Sequence, residues 1–325
     1  MRRYFCTLFD RNYLIKGVSM IKSLIKHCHD VEIYVLCMDS ETKEILTGFN
    51  FNQVHLILLS DIENQELLSI KPGRSAAEYC WTLSAFFSWY IMSTFNKVDM
   101  LTYLDADLLF YSNVTPLFDE INTASIAIIE HRFSEKLIHL EAYGRFNVEW
   151  VSFRRDTAGL ACLETWKDQC IEWCFARLED GRMGDQKYLD SWPTIYADKL
   201  CILQHYGAGI APWNYANYKI TKNNNQIFVN DSPLVFYHFH QFQILKNNKF
   251  HWMSKAYSEN EIMPDLIYMQ YENEIRNALS EINKIKPGFR FGIRSAGIVT
   301  LRHIIQRFVG LRLKNFIRKI GIQIW

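Results

Sequence analysis

The sequence contains no run of 18 apolar residues, so no segment has the length and apolarity of a membrane-spanning helix. Its first residues, "MRRYFCTLFDRN", lack the long apolar core of a signal peptide and turn polar by position 10. None of the eight cysteines forms a Cys-x-x-Cys pair, and Cys170 and Cys174 stand at helical spacing inside an apolar run. This argues against a structural zinc site and for buried free thiols in a reducing compartment, which makes the body of the protein cytoplasmic. No internal repeat and no low-complexity tract occurs. Acidic residues are absent from 284–325, a stretch that holds ten Lys and Arg and leaves 26 basic against 35 acidic groups elsewhere. A mildly acidic body therefore carries a cationic tail, as expected for a chain that meets an anionic surface.

Apolar residues make up 49% and charged residues 22% of the 325, which is ordinary for a globular fold of this length. "RRYFCTLF", "VEIYVLCMD" and "VHLILLS" read as strands, separated by helical patterns in "YLIKGVSMIKSLIKHC" and in "SETKEILTGF", the latter opened by an N-cap serine. Strands apolar on both faces that alternate with helices predict a mostly parallel sheet covered on both sides. "SAAEYCWTLSAFFSWYIMSTF" follows as a long apolar helix, and "MLTYLDADLLFY" as the fourth strand. "SIAIIEH", "WVSFRRD", "LCILQH" and "LVFYHFH" are further strands, with helices over "GLACLETWKDQCIEWCFARL" and from "GDQKYLDSW". The predicted boundaries are a body at 1–283 and an appended tail at 284–325.

The fourth strand carries the most pointed signal. Asp105 and Asp107 are one residue apart between apolar runs, and on a regular strand such residues face the same side. Two buried carboxylates repel unless one protonates or a cation joins them. Hard Mg²⁺ or Mn²⁺ ions take carboxylate oxygens and keep positions open for diphosphate oxygens. In open α/β sheets ligands lie outside the carboxyl ends of the strands, where this pair sits. The bland alternative is a solvated strand end. Hydrolytic carboxylate pairs flank their bond from separate elements, which disfavours a glycosidase.

A set of motifs over residues 4–245 resembles the GT-A-fold nucleotide-sugar glycosyltransferases of family 8, the type that includes glycogenin and bacterial lipopolysaccharide galactosyltransferases. "YFCTLFDRNYLIKGVSMIKSL" is similar to the family's first strand and helix, which makes Thr7, Asp10 and Tyr13 nucleoside contacts by resemblance. "YLDADLLF" resembles the metal motif, and "FYHFHQF" the late histidine motif that would supply His238 as third ligand, with His240 the alternative. "RFNVEWVSF" offers Asn147 as a donor-sugar contact, and "GDQKYLD" offers Asp185 and Gln186 beside the reacting sugar. Asp185 also reads as an ordinary helix cap. Arg74 precedes the long helix where the family carries a basic donor contact. Three positions depart from the pattern: Glu149 stands for the Gly of Asn-x-Gly, and Gln241 and Ile244 replace the Gly and Lys of the late motif, with Lys246 as the stand-in cation. In "APWNY", Trp213 and Asn214 are candidates to line a sugar pocket, since sugar faces stack on aromatic rings. "GDQKYLDSWPTIYADKLCILQHYGAGIAPWN" is also similar to a group of bacterial nucleotide-diphospho-sugar transferases.

The resemblance implies a divalent metal, a nucleotide-diphospho-sugar donor, a glycan, glycolipid or lipid-linked acceptor, and retention at the anomeric carbon. Two rivals stay open. A sugar-phosphate nucleotidyltransferase would carry a Gly-rich phosphate loop after the first strand, which "TLFDRNYLIKG" lacks. The other is a non-catalytic binding protein on the same fold. In the tail, Leu301, Ile304, Ile305 and Phe308 share one helical face, flanked by Arg302 and Arg307. Such cationic amphipathic helices lie in an anionic membrane interface or pack on a body or partner. The apolar face is too broad for a solvated nucleic-acid arm.

Overall fold

β1 (Arg3–Phe9) buries six of its seven residues, which a strand achieves only inside a sheet covered on both faces. The computed structural model describes residues 2–224, 226–254, 257 and 264–295. From β1 the chain runs through α1 (Leu14–His27), β2 (Val31–Cys37), α2 (Ser40–Gly48), β3 (Val54–Leu58), α3 (Gln65–Ile70), α4 (Ala76–Thr94), β4 (Met100–Leu104) and β5 (Leu108–Phe110). It continues with α5 (Thr115–Ile121), β6 (Ile126–Glu130), β7 (Phe146–Arg154), α6 (Thr157–Glu172), α7 (Trp192–Ile195) and β8 (Leu200–Leu203). The short strands β9 (Ile220–Asn223), β10 (Gln226–Val229), β11 (Ser232–Pro233), β12 (Phe236–His238), β13 (Gln243–Leu245) and β14 (Lys249–His251) lead to α8 (Asp265–Ile285) and β15 (Ile293–Arg294).

Among the described residues, seven strands form the central sheet in the order β3-β2-β1-β4-β7-β6-β8. The sheet is mostly parallel, as the alternating pattern requires, but β7 runs antiparallel to both of its neighbours. One face packs under α1 and α8, the other under α4 and α6, and each holds its own apolar cluster. Chain order reverses between β1 and β4: from β1 the next strand lies on one side and β4 on the other. The carboxyl ends of these two strands therefore open a crevice, the place where doubly wound sheets bind ligands.

Local chemistry sets the helix ends, with two corrections. α2 is capped by Asp39, whose carboxylate accepts from Thr42 N at 2.8 Å, and not by Ser40, which is its first residue. α6 stops at Glu172, so Cys174 lies beyond the helix end. α4 opens with a reciprocal capping box between Ser75 and Glu78.

The expected boundary at 283/284 falls inside α8. Beyond that helix Lys286 pairs with Glu44 at 3.2 Å, Phe289 is buried, and β15 pairs with β13. Gly292, at φ +76°, lies so close to the Asn12 carbonyl that a Cβ would come within 2.3 Å of its oxygen. The amphipathic faces read at 301–308 lie outside the described residues. No helix among the described residues is long and apolar enough to cross a membrane.

Candidate metal and donor site

The apolar run around the two aspartates is not one strand. β4 ends at Leu104, Asp105–Asp107 form a turn, and β5 resumes in a separate two-stranded sheet, antiparallel to β12. The aspartates thus mark a seam between two sheets and do not share a face of a single strand. Register does the rest. His238 pairs with Leu108, next to Asp107, and Leu104 pairs with Trp150, which sets Glu149 beside Asp105.

At the seam, one ligand atom from each of Asp105, Asp107 and His238 lies within 4.8 Å of the others. His238 Nε2 is 3.1 Å from Asp107 Oδ1 and 3.8 Å from Asp105 Oδ2. On its other side His238 Nδ1 donates to Glu149 Oε2 at 2.5 Å, and Glu149 is buried. Lys16, buried in the first turn of α1, reaches Asp107 Oδ2 at 3.4 Å.

These contacts set the charges. Asp105 keeps 31% of its side chain open, yet burial of the remainder pushes its carboxyl up to about 7 against the pull of His238. Burial acts the same way on Asp107, but Lys16 and His238 outweigh it and hold that carboxyl well below the usual range. For His238 burial favours the neutral ring, while Asp107 and Glu149 overcome it and raise the imidazole well above its ordinary value. Two carboxylates and an imidazole whose far nitrogen is held by a carboxylate form a donor set fitted to a divalent ion. The imidazole favours Mn²⁺ over Mg²⁺.

The seam opens into a cavity of about 490 Å³ at the β1–β4 crevice. From the first strand and its loop, Asp10 and Tyr13 line it, and Asn147 lines it from β7. Asp185, Gln186 and Trp213 close it from later loops. Asp185 stands at the N-cap position of the 3-10 helix Gln186–Ser191, but its side chain makes no capping bond. Its carboxylate accepts from Ser84 Oγ at 2.7 Å, its carbonyl accepts from Trp166 Nε1 at 3.0 Å, and burial pushes the acid up to about 6. Trp213 stands edge-on to both His238 and His240, with ring centres 5.3 and 5.5 Å away. His240 faces the cavity but is held neutral, lowered to about 4 by burial and by the neighbouring His238.

Comparisons with known proteins agree with this geometry. The sequence profile described as "Glycosyl transferase family 8" matches residues 6–152. YfnD of Bacillus subtilis (strain 168), described as an uncharacterized protein, is 31% identical over 306 residues, covering 93% of this chain and 98% of YfnD. The chain belongs to glycosyl transferase family 8. Among solved structures, the galactosyltransferase LgtC in complex with donor and acceptor sugar analogs superposes at a TM-score of 0.54 with 14% identity, covering 85% of this chain and 95% of LgtC. The apo form of GlyE from Streptococcus pneumoniae TIGR4 superposes at 0.52 with 15% identity, covering 87% and 63%. These likenesses establish the GT-A-type fold.

Four of the site residues expected from the sequence do not line the cavity. Thr7 is fully buried in mid-strand, and its hydroxyl has no hydrogen-bond partner among the described residues. Arg74 is tied to Thr82 Oγ1 and to the Ile171 carbonyl, which joins α4 to the end of α6. Asn214 is fully buried and spends its amide on backbone: Nδ2 donates to the carbonyls of His131 and Gly209, each at 2.8 Å, and Oδ1 accepts from Ala211 N. Lys246 is exposed on the β13 turn, and its backbone N–H bonds Arg294. The family 8 pattern also left two participants unmarked. Glu149 looked like a defect in Asn-x-Gly, and Lys16 was one lysine in an amphipathic helix.

Proposed function

We propose that this family 8 chain is a metal-dependent glycosyltransferase that moves a hexosyl group from a nucleotide-diphosphate donor to a hydroxyl of a glycan, glycolipid or lipopolysaccharide-type acceptor. The observation that carries this reading is the cluster of Asp105, Asp107 and His238 opening into the crevice of the sheet. When bound, the cation supplies Lewis-acid stabilisation of the departing diphosphate. Asp10 keeps the β1–α1 loop closed by accepting from the backbone N–H groups of Asn12 and Tyr13, which presents the Tyr13 ring to the nucleoside. Asp185, pinned by Ser84, and Gln186, whose amide donates to the Tyr143 carbonyl at 3.0 Å, orient the sugar. Retention then proceeds by front-face attack without an enzyme nucleophile.

The acceptor enters past Phe133, Leu140 and Tyr143, an apolar and aromatic rim suited to stacking on sugar faces. The cationic end of the expected tail, with six Lys and Arg at 296–325, brings the enzyme to an anionic membrane surface on the cytoplasmic side, where lipid-linked acceptors reside.

A thermal-shift screen of nucleoside diphosphates with and without Mn²⁺ tests the reading. A ligand that binds only the native state raises the melting temperature. The expected result is a Mn²⁺-dependent rise for one base, abolished in Asp107→Ala. No rise with any nucleotide would sink the proposal.

A further inference from the structure

Among the described residues, the cavity lining contains four aspartates (10, 105, 107 and 185) and no lysine or arginine. That is a poor receptacle for a diphosphate, which brings about two negative charges. A divalent cation does not close the gap by itself, because Asp105, Asp107 and the Glu149 carboxylate behind His238 already offset it. A second cation must come from the protein. Lys246, the cation expected from the late motif, is exposed and outside the lining.

Lys16 meets the requirement. It is 7% exposed, its ammonium lies 3.4 Å from Asp107 Oδ2, and the ammonium also lies 4.6 Å from the centre of the Tyr13 ring, which forms the adjacent cavity wall. Its position is costly: the first turn of a helix carries the positive end of the dipole, where a cation is disfavoured. Arg294 adds repulsion from the β15 side. A buried ammonium in that place needs an anion at all times. Asp107 serves while its carboxylate is free. Once Asp107 turns to a divalent ion, its charge is shared and the ammonium is left under-compensated. The flexible four-carbon stem lets it move the short distance past Tyr13 toward the cavity.

We infer that Lys16 is a donor-binding residue, released from Asp107 by the metal to pair with the diphosphate of the nucleotide sugar. This inference rests on the metal-dependent transferase reading above. It assigns to the first helix a charge that the late motif of this chain no longer supplies. Lys16 thereby couples the two binding events, since the ion must engage Asp107 before the ammonium is free for phosphate.

The test separates ion from diphosphate. Mn²⁺ alone, and inorganic pyrophosphate in saturating Mn²⁺, are titrated by calorimetry into the full chain, as wild type, Lys16→Met and Lys16→Arg. Lys16→Met should bind Mn²⁺ alone as well as wild type or more tightly, because a competing cation has gone. It should bind Mn²⁺–pyrophosphate about 10- to 100-fold more weakly, the worth of one charge-assisted contact. Lys16→Arg should recover most of that loss. Equal weakening of Mn²⁺ and pyrophosphate would mean that Lys16 merely holds Asp107 in place, and unchanged pyrophosphate binding would mean that it has no part in donor binding. Either result overturns the inference and leaves the transferase reading standing. Wild type that binds no pyrophosphate with Mn²⁺ ends both. Lys16→Gln, which keeps a polar partner for Asp107, provides the same comparison if Lys16→Met does not fold.

Discussion

Replacing Glu149 by Gln keeps the size of the side chain and removes its charge, at a position 2.5 Å from His238 Nδ1 and buried on every side. In wild type the carboxylate fixes Nδ1–H and turns Nε2 toward the aspartates. The amide can turn its nitrogen toward the ring, and it no longer raises the basicity of the imidazole. Loss of such an outer partner costs about 10–100-fold in metal affinity, or about 1.4–2.7 kcal/mol. The burial and shortness of this contact place the expected effect in the upper half of that range, about 30–100-fold. Mn²⁺ titration followed by electron paramagnetic resonance measures it directly, without donor or acceptor. The double variant with His238→Ala gives the sharper readout. If Glu149 acts through the ring, Glu149→Gln adds less than about twofold once the ring is gone, because the two residues form one unit. Mn²⁺ affinity within about threefold of wild type in Glu149→Gln would refute the positioning role, and so would full additivity in the double variant.

Mn²⁺ affinity should climb with pH through about 7 and keep climbing above it, by at most about tenfold per unit for each proton displaced, since Asp105 and the His238 imidazole, raised above its ordinary value by Asp107 and Glu149, must each lose a proton to ligate. For the metal-free protein Asp105 gives the opposite dependence of stability. Its folded value lies above the unfolded one, so the stability it confers is present at about pH 4 and lost as pH rises through about 7; urea unfolding at pH 5 and 7.5 in chelator, on wild type and Asp105→Asn, isolates it. Lys246→Ala should leave Mn²⁺ and pyrophosphate binding unchanged within about twofold, the scatter of a surface substitution, and a larger loss by calorimetry would return the donor cation to the late motif. Asn214→Ala removes three buried hydrogen bonds and should cost about 2–4 kcal/mol in urea unfolding, with any loss of activity tracking the loss of folded protein.

What could be read from the sequence depended on whether a signal was local. β1, β2 and β3 are continuous apolar runs between helical patterns, and a parallel arrangement of such strands follows from their two-sided burial. The break between β4 and β5 was hidden for the same reason. Both pieces are buried on both faces, and neither Gly nor Pro punctuates the turn. Trp213 and Asn214 are adjacent, yet one ring lines the cavity while the amide beside it is consumed by the carbonyl of Gly209 in its own loop and that of His131 just after β6. Partner choice at that scale is set by backbone path, which residue type does not report. Asp39 and Ser40 are both good caps, and only the geometry of the turn selects between them. Lys16 and Lys246 make the same point over longer range. The motif order favoured the lysine close to the histidine in sequence, whereas the sheet brings α1, the β4–β5 turn and β12 to one place.

The turn at 105–107 belongs to the end of the central sheet, and His238 to the small sheet that β12 forms with β5. An ion held by all three residues would therefore act as a rivet through two separately hydrogen-bonded plates. Before it is driven, the joint is fastened by protons and one ammonium, all of which solvent can exchange. Afterwards the plates cannot part without breaking coordination bonds. Slowed amide exchange along β5 and β12, with the far strand β3 indifferent, would then report ion occupancy before any nucleotide arrives.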